Sequence, residues 1–205
     1  MRSSPSKRSV KRAVANRELD ARLAAVWQLK ISLYGAKPPI WRRVRVPAAM
    51  SLSDLHDVIQ TAMGWTNSHL HQFEVGDRIY AAPNPFYDDP DPDTLDATSV
   101  RLGQVAQVGE TLRYTYDFGD DWRHDVLVEQ DVEPGSGVVL PVCVGGRRAC
   151  PPEDVGGVWA YADLLESWQD PQHPDHEELR EWAGPYFDPA AFDADAVTRS
   201  LRQLA

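Results

Sequence analysis

The chain has 205 residues, 42% hydrophobic and 25% charged, with 7 Trp and 7 Tyr. That is enough for one folded core with at most a small appendage. No run approaches the roughly 18 apolar residues of a membrane-spanning helix, and the basic N-terminus lacks the apolar stretch and cleavage site of a secretory signal. The two cysteines, Cys143 and Cys150, are too few for a disulfide-built secreted domain, so a reducing cytosol is expected. Residues 1–22 hold seven Lys/Arg against Glu18 and Asp20, a net of +5, which leaves −15 on the rest of a chain of net charge −10. A body that acidic repels a phosphate backbone. Any nucleic-acid contact is therefore expected through the arm, at Lys7, Arg8, Lys11 and Arg12.

Residues 1–22 read as a basic lead-in, flexible or helical from about Val10, ahead of one domain over 23–205. From Val26 the residues alternate, with Trp27, Leu29, Ile31 and Leu33 on one face, the period of a strand. Gly35 to Pro39 breaks that pattern, and Ile40–Val46 forms a second strand, so a hairpin is expected. After Pro47, Ser51 sits at an N-cap position with Asp54 three residues on, an acidic capping box. Leu52, Leu55, Val58, Ile59 and Ala62 recur at helical spacing until Gly64, which predicts a helix over 52–63. Residues 69–75 (HLHQFEV) return to strand alternation, and 77–80 continue past a turn at Gly76.

Residues 82–99, with Pro83, Pro85, Pro90, Pro92 and five aspartates, read as a loop. Residues 100–105 are ambiguous. Thr111–Tyr116 and Trp122–Glu129 flank a turn at 117–121, a second hairpin. Beyond Val139, Gly145, Gly146, Pro151, Pro152, Gly156 and Gly157 impose an irregular connector. Three short helices follow, at about 158–168, 175–183 and 193–204, the last capped by Asp193. The expected fold is α+β: a mixed or antiparallel sheet of two hairpins, one helix between strands and a C-terminal helical segment.

Several motifs have plain structural readings. Asp117-Phe118-Gly119 matches a kinase magnesium motif, but no Gly-rich phosphate loop or catalytic loop precedes it; Gly119 serves a tight turn. Asp88, Asp89, Asp91, Asp93 and Asp96 lack the central Gly and twelfth-position Glu of a calcium loop and read as a solvated acidic loop. His173, His176 and Glu177 miss the spacing of a zinc protease helix, and Asp175 as an N-cap with Glu177 and Glu178 at the positive helix end accounts for the acids. Cys143 and Cys150, with six residues between them, are wider than paired zinc thiolates and read as idle thiols, or as part of a zinc site completed by distant histidines.

One constellation has chemical readings beside its structural one. His69 and His71 share a face with Phe73 and Val75, and His124 shares one with Trp122, Val126 and Val128. Asp117, Asp120 and Asp121 occupy the turn beside His124, and Arg42 and Arg43 lie on a neighbouring strand. Three readings follow: a satisfied polar network of Arg–Asp pairs and bonded imidazoles, a divalent metal site (zinc) using His69, His71, His124, Cys143 and Cys150, or a catalytic pocket in which the metal activates water.

The order of motifs resembles a known family. Leu33-Tyr34-Gly35 and Lys37-Pro38-Pro39-Ile40-Trp41-Arg42-Arg43-Val44 are followed by Leu55-His56-Asp57-Val58-Ile59-Gln60, Met63-Gly64-Trp65 and His69-Leu70-His71-Gln72-Phe73. Then come Tyr114, Tyr116-Asp117-Phe118-Gly119-Asp120, Trp122 and His124, and last Cys150-Pro151-Pro152-Glu153-Asp154, Gly156-Gly157, Phe187-Asp188-Pro189 and Phe192-Asp193. Over residues 26–204 the chain resembles the plasmid pRiA4b ORF-3-like family. The resemblance implies a compact α+β domain found on bacterial and archaeal chromosomes, plasmids and insertion elements, without an assigned biochemical function. Some relatives travel as insertion-sequence passengers under a resolvase-like label. A serine recombinase, however, needs an N-terminal catalytic Ser domain and a helix-turn-helix, whereas here the N-terminus is short and basic and the C-terminal helices lie in an acidic region. Many relatives carry a further Cys where this chain has Val155, so Cys143 and Cys150 would need His or Asp partners to hold a metal.

Three functions are therefore expected in turn. The first is a mobile-element-associated accessory protein that binds a protein on its aromatic-rich surface or, weakly, nucleic acid through the arm. The second is a metal-assisted hydrolase built on the His/Asp cluster. The third is a purely structural domain whose prolines and glycines serve turns.

Overall fold

The computed structural model describes residues 7–83, 93–133, 135 and 137–204, with side chains from residue 14 onward. Helix α1 (Lys7–Leu23) leads into β1 (Val26–Leu33) and β2 (Trp41–Pro47), then α2 (Leu52–Met63), β3 (His71–Val75) and β4 (Arg78–Ala81). After them come β5 (Thr94–Asp96), α3 (Leu102–Val105), β6 (Thr111–Tyr116), β7 (Trp122–Val132) and β8 (Val142–Arg147). Helices α4 (Gly157–Gln169), α5 (His176–Ala183) and α6 (Ala194–Leu201) close the chain, with a 3-10 turn at Arg202–Leu204. Asp88, Asp89 and Asp91 of the acidic run lie outside the described residues, as do the side chains of Lys7, Arg8, Lys11 and Arg12.

All eight strands join one sheet in the order β5-β4-β3-β6-β7-β1-β2-β8. Every pair is antiparallel except β4–β5, so the sheet is mixed and the fold is α+β. Both expected hairpins form, and β1 of the first lies directly against β7 of the second.

Strand alternation sends one residue set to a single inner face. Two rows cross that face in register. Leu33, His124, Tyr114, Phe73 and Tyr80 stand side by side on five strands, and Trp122, Tyr116 and His71 make the next row. Helix α2 covers this face, burying Leu52, Leu55, His56, Val58, Ile59, Gln60, Ala62 and Met63. Fully burying one such Leu or Ile stabilises by about 1.5–3 kcal/mol. Its ends are as the sequence predicts: Ser51 Oγ accepts from Asp54 N–H at 3.0 Å, Asp54 returns a bond to Ser51 N–H, and Gly64 turns left-handed at φ 99°. Asp193 caps α6 by accepting from Asp195 and Ala196 N–H. The other sheet face stays polar, with Arg43 paired to Glu129 at 2.6 Å and Gln28 bonded to the same carboxylate.

Three expected elements differ. Residues 94–96, read as loop, form β5 by pairing in parallel with β4; a three-residue strand has no periodicity to read, and only the neighbouring edge creates it. Residues 142–147, read as connector, form edge strand β8 against β2, with a register shift between Arg43 and Val44. Gly146 is there for packing, since a Cβ on it would stand 2.3 Å from the Phe192 ring. The ambiguous 100–105 segment is a single helical turn, α3, whose Gly103 packs at Leu23 near the end of α1.

Candidate functional site

The 117–121 turn is organised by one carboxylate. Asp117, at φ 55°, accepts through Oδ1 from Gly119 N–H at 2.9 Å and Asp120 N–H at 3.3 Å, the local Asx geometry that tolerates a left-handed residue. Its Oδ2 is left for other work. A second segment, 151–157, docks onto this turn: Asp120 Oδ2 accepts from Gly156 N–H at 3.0 Å, and a Cβ on Gly157 would lie 2.5 Å from Asp120 O. Glu153 anchors the same segment to the 65–69 stretch. It accepts from Thr66 N–H at 3.1 Å and from Tyr116 O–H at 2.6 Å, while Trp65 Nε1–H donates to Pro151 O at 3.0 Å. Burial pushes the Glu153 carboxyl up, but the bonds from Thr66 and Tyr116 outweigh it and hold the group below its ordinary value. The Tyr116 oxygen also accepts from the N–H groups of Ser68 and His69.

Three segments thus converge on His69. Its Nε2 lies 3.1 Å from Asp154 Oδ1 and 3.7 Å from Asp117 Oδ2. The three donor atoms all fall within 4.8 Å of one another, the one such His/Cys/Asp/Glu group among the described residues. Divalent ions bind imidazole and carboxylate at about 2.0–2.2 Å, which sets neighbouring donors roughly 3.0–3.6 Å apart; the Asp154 contact falls in that range and the Asp117 contact lies just beyond it. Asp154 also holds a left-handed backbone, φ 60°, so both carboxylates are presented from constrained positions.

The other expected residues go elsewhere. His71 stacks face to face on His56, with centroids 3.4 Å apart and planes 6° apart. His124 is fully buried, with Nδ1–H donating to Trp122 O at 3.1 Å. Asp120 is used in the loop contact, and Asp121 pairs with Arg123 at 2.7 Å on the exposed polar side. Arg42 and Arg43 are adjacent in a strand and so face opposite ways: Arg43 meets Glu129 on the polar face, whereas Arg42 is buried on the inner face. Burial raises both the Cys143 and the Cys150 thiol, and neither joins a metal-ligating group among the described residues. Of the eight residues read as one pocket, the structure brings His69 and Asp117 together and distributes the rest over the buried layer, the loop contact and the polar face.

Behind the site lies a closed ring of hydrogen bonds. Gln60 Nε2–H donates to the Tyr114 oxygen at 2.9 Å, and Asn67 N–H donates to Gln60 Oε1 at 3.1 Å. Tyr114 O–H and His56 Nδ1 are 2.8 Å apart, and His56 Nε2 and Asn67 Oδ1 are 2.7 Å apart. The Asn67 oxygen only accepts, so Nε2 carries the His56 proton and Tyr114 donates to Nδ1. Each bond of this ring, buried at His56, Gln60 and Tyr114 and open to solvent at Asn67, is made, which holds α2 to β6. The sequence by itself does not mark His56, Glu153 or Asp154 as chemistry. Their signal was membership of the family motifs alone, since no local pattern marks a residue whose partners lie far along the chain.

The family model described as plasmid pRiA4b ORF-3-like protein matches residues 25–196. An uncharacterised protein of Sinorhizobium fredii (strain NBRC 101917 / NGR234), y4hQ, is 38% identical over 186 residues, covering 89% of this chain and 94% of its own. The crystal structure of MM3350, a protein of unknown function from Methanosarcina mazei Go1, superposes with a TM-score of 0.77 at 36% identity, covering 83% of this chain and 96% of that one. With the model matching most of the chain, and both relatives similar over nearly their whole length, this chain belongs to the plasmid pRiA4b ORF-3-like family.

Proposed function

We propose that this protein is a divalent-cation-binding accessory protein, with one ion held by His69, Asp117 and Asp154. The observation that carries this reading is the approach of one imidazole nitrogen and two carboxylate oxygens from three separate segments to within 4.8 Å. Asp117 divides its oxygens, one for the turn and one for the ion, so the ligand is pre-set by the fold. Protein purified without a His-tag or chelator is expected to carry, or to take up on titration with zinc or manganese, about one equivalent per chain. Asp154→Asn and His69→Ala should each weaken uptake at least about tenfold, and Asp121→Asn, on the polar face, should not. Metal content near zero together with no saturable uptake would remove this reading.

A second reading, metal-assisted hydrolysis, is favoured by the ligand count. Three protein donors leave coordination positions open for water, as in catalytic rather than structural zinc sites. Hydrolysis of phosphate or carboxylate esters that depends on added metal and is lost in Asp154→Asn would select it.

Location and the N-terminal arm belong to the same reading. It is of a cytosolic protein associated with mobile elements, with residues 1–22 as a distinct basic lead-in that touches nucleic acid through Lys7, Arg8, Lys11 and Arg12. Two free cysteines support a reducing compartment, and no helix among the described residues is long and apolar enough to cross a membrane. Exposed aromatics, Trp159 among them, support a protein partner. Deleting residues 1–22 should abolish any DNA binding that weakens with salt; undiminished binding by the truncated chain would exclude the arm.

A further inference from the structure

Arg42 is 2% exposed, and among the described residues no carboxylate pairs with its charge. Nε–H donates to Ala62 O at 2.8 Å, Nη1 donates to Trp41 O at 2.9 Å and Arg147 O at 3.1 Å, and the guanidinium lies 4.6 Å from the Phe192 ring centroid. Among the described residues no acceptor bonds Nη2 and no acid forms an ion pair with this side chain. Burial pushes the Arg42 pKa down, yet a guanidinium keeps its proton in proteins. The Cys143 and Cys150 thiols nearby are pushed up by burial and stay neutral. The Ala62 carbonyl belongs to the last turn of α2, and a helix end supplies only about half a charge. A buried charge compensated that incompletely is costly.

Arg42 lines a cavity of about 740 Å³ between the end of α2, residues 149–153 and the α5–α6 region. That size suits a small ligand. Trp65, Met63, Phe187, Phe192 and Val197 give it apolar walls, and Arg42 is the one Lys or Arg among the residues lining it. The two acids at its edge are engaged: Glu153 by Thr66 and Tyr116, and Asp193 as the cap of α6. With a single cation and acids at the rim, a multiply charged phosphate is disfavoured and a monoanion is favoured.

We propose that this cavity is a binding site for a small monocarboxylate with an aromatic or branched apolar body, its carboxylate paired with Arg42. The site does not depend on the cation reading. Benzoate and benzamide, matched in shape but not in charge, test it on the full chain through the change in total tryptophan fluorescence, to which Trp65 contributes, and the shift in melting temperature. Benzoate should bind saturably with a roughly millimolar Kd, as suits a ligand of about nine heavy atoms, and benzamide at least about tenfold more weakly. Arg42→Gln should remove the preference for benzoate. If that variant fails to fold, Ser200→Trp, an exposed helix position at the cavity, should block both ligands while leaving the fold intact. Equal binding of the two probes to the unaltered protein, no saturable benzoate binding, or benzoate binding unchanged in a folded Ser200→Trp protein would each overturn the proposal.

Discussion

Stability is expected to fall steeply as pH drops below about 6.5, before most carboxylates titrate. Burial holds both His71 and His124 down to about 3, with His56 lowering His71 further and Arg42 lowering His124 despite its bond to Trp122 O. His56 is lowered by burial as well. In the unfolded chain these rings titrate near 6.5. Between about 3 and 6.5 the unfolded state therefore binds more protons than the folded one, so acid favours unfolding and stability is fully present only above the unfolded value. Each fully buried histidine contributes a slope of about 1.4 kcal/mol per pH unit. His124 has that environment, while His71, partly exposed, is discounted. Going from pH 6.5 to 4.5 should cost roughly 3–5 kcal/mol, a large share of the 5–15 kcal/mol typical of a domain. Urea midpoints measured across this range check it, with His124→Leu predicted to flatten the slope by about 1 kcal/mol per pH unit. Parallel pH profiles for the two proteins, or an NMR titration of His124 in the folded state near 6, would refute the account.

Gly157→Ala should be among the most damaging single-methyl changes in the chain. Its backbone sits at φ +81°, and a Cβ would fall 2.5 Å from the Asp120 carbonyl oxygen, a main-chain atom in a turn already fixed by Asp117. Left-handed strain costs about 1–2 kcal/mol and overpacking typically 1–3 kcal/mol, so a loss of about 3 kcal/mol is expected. Gly64→Ala supplies the comparison: φ is +99° but nothing lies within 4 Å of the added carbon, so only the conformational cost, about 1 kcal/mol, applies. Because Gly157 seats the segment that carries Asp154 against the turn that carries Asp117, Gly157→Ala should also weaken cation uptake, and Gly64→Ala should not. Equal destabilisation by the two variants, measured by chemical denaturation, would show that the close approach has no energetic weight.

What a sequence makes legible follows from the range of each interaction. Helix α2 was readable to its caps because Ser51, Asp54 and Gly64 act within a few residues of one another. The hairpins were readable because alternation and turn residues are local too. Strands β5 and β8 were not, since their pairing is decided by an edge presented from elsewhere in the chain. Asp117 and His69 could be named as polar candidates from their positions at strand ends. That Asp154 completes their cluster, that Asp121 turns away to Arg123, and that His71 lies on His56 depend on contacts across 15 or more residues or on which way a side chain leaves its strand.

Composition and short-range pattern alone determined the α+β class, the α2 boundaries, the two hairpins and, through the ordered motifs, the family. Tertiary structure alone decided which polar residues meet, because that depends on how the 151–157 segment docks on the 117–121 turn. The docking is set by a glycine's missing Cβ and two carboxylates, features with no periodicity along the chain.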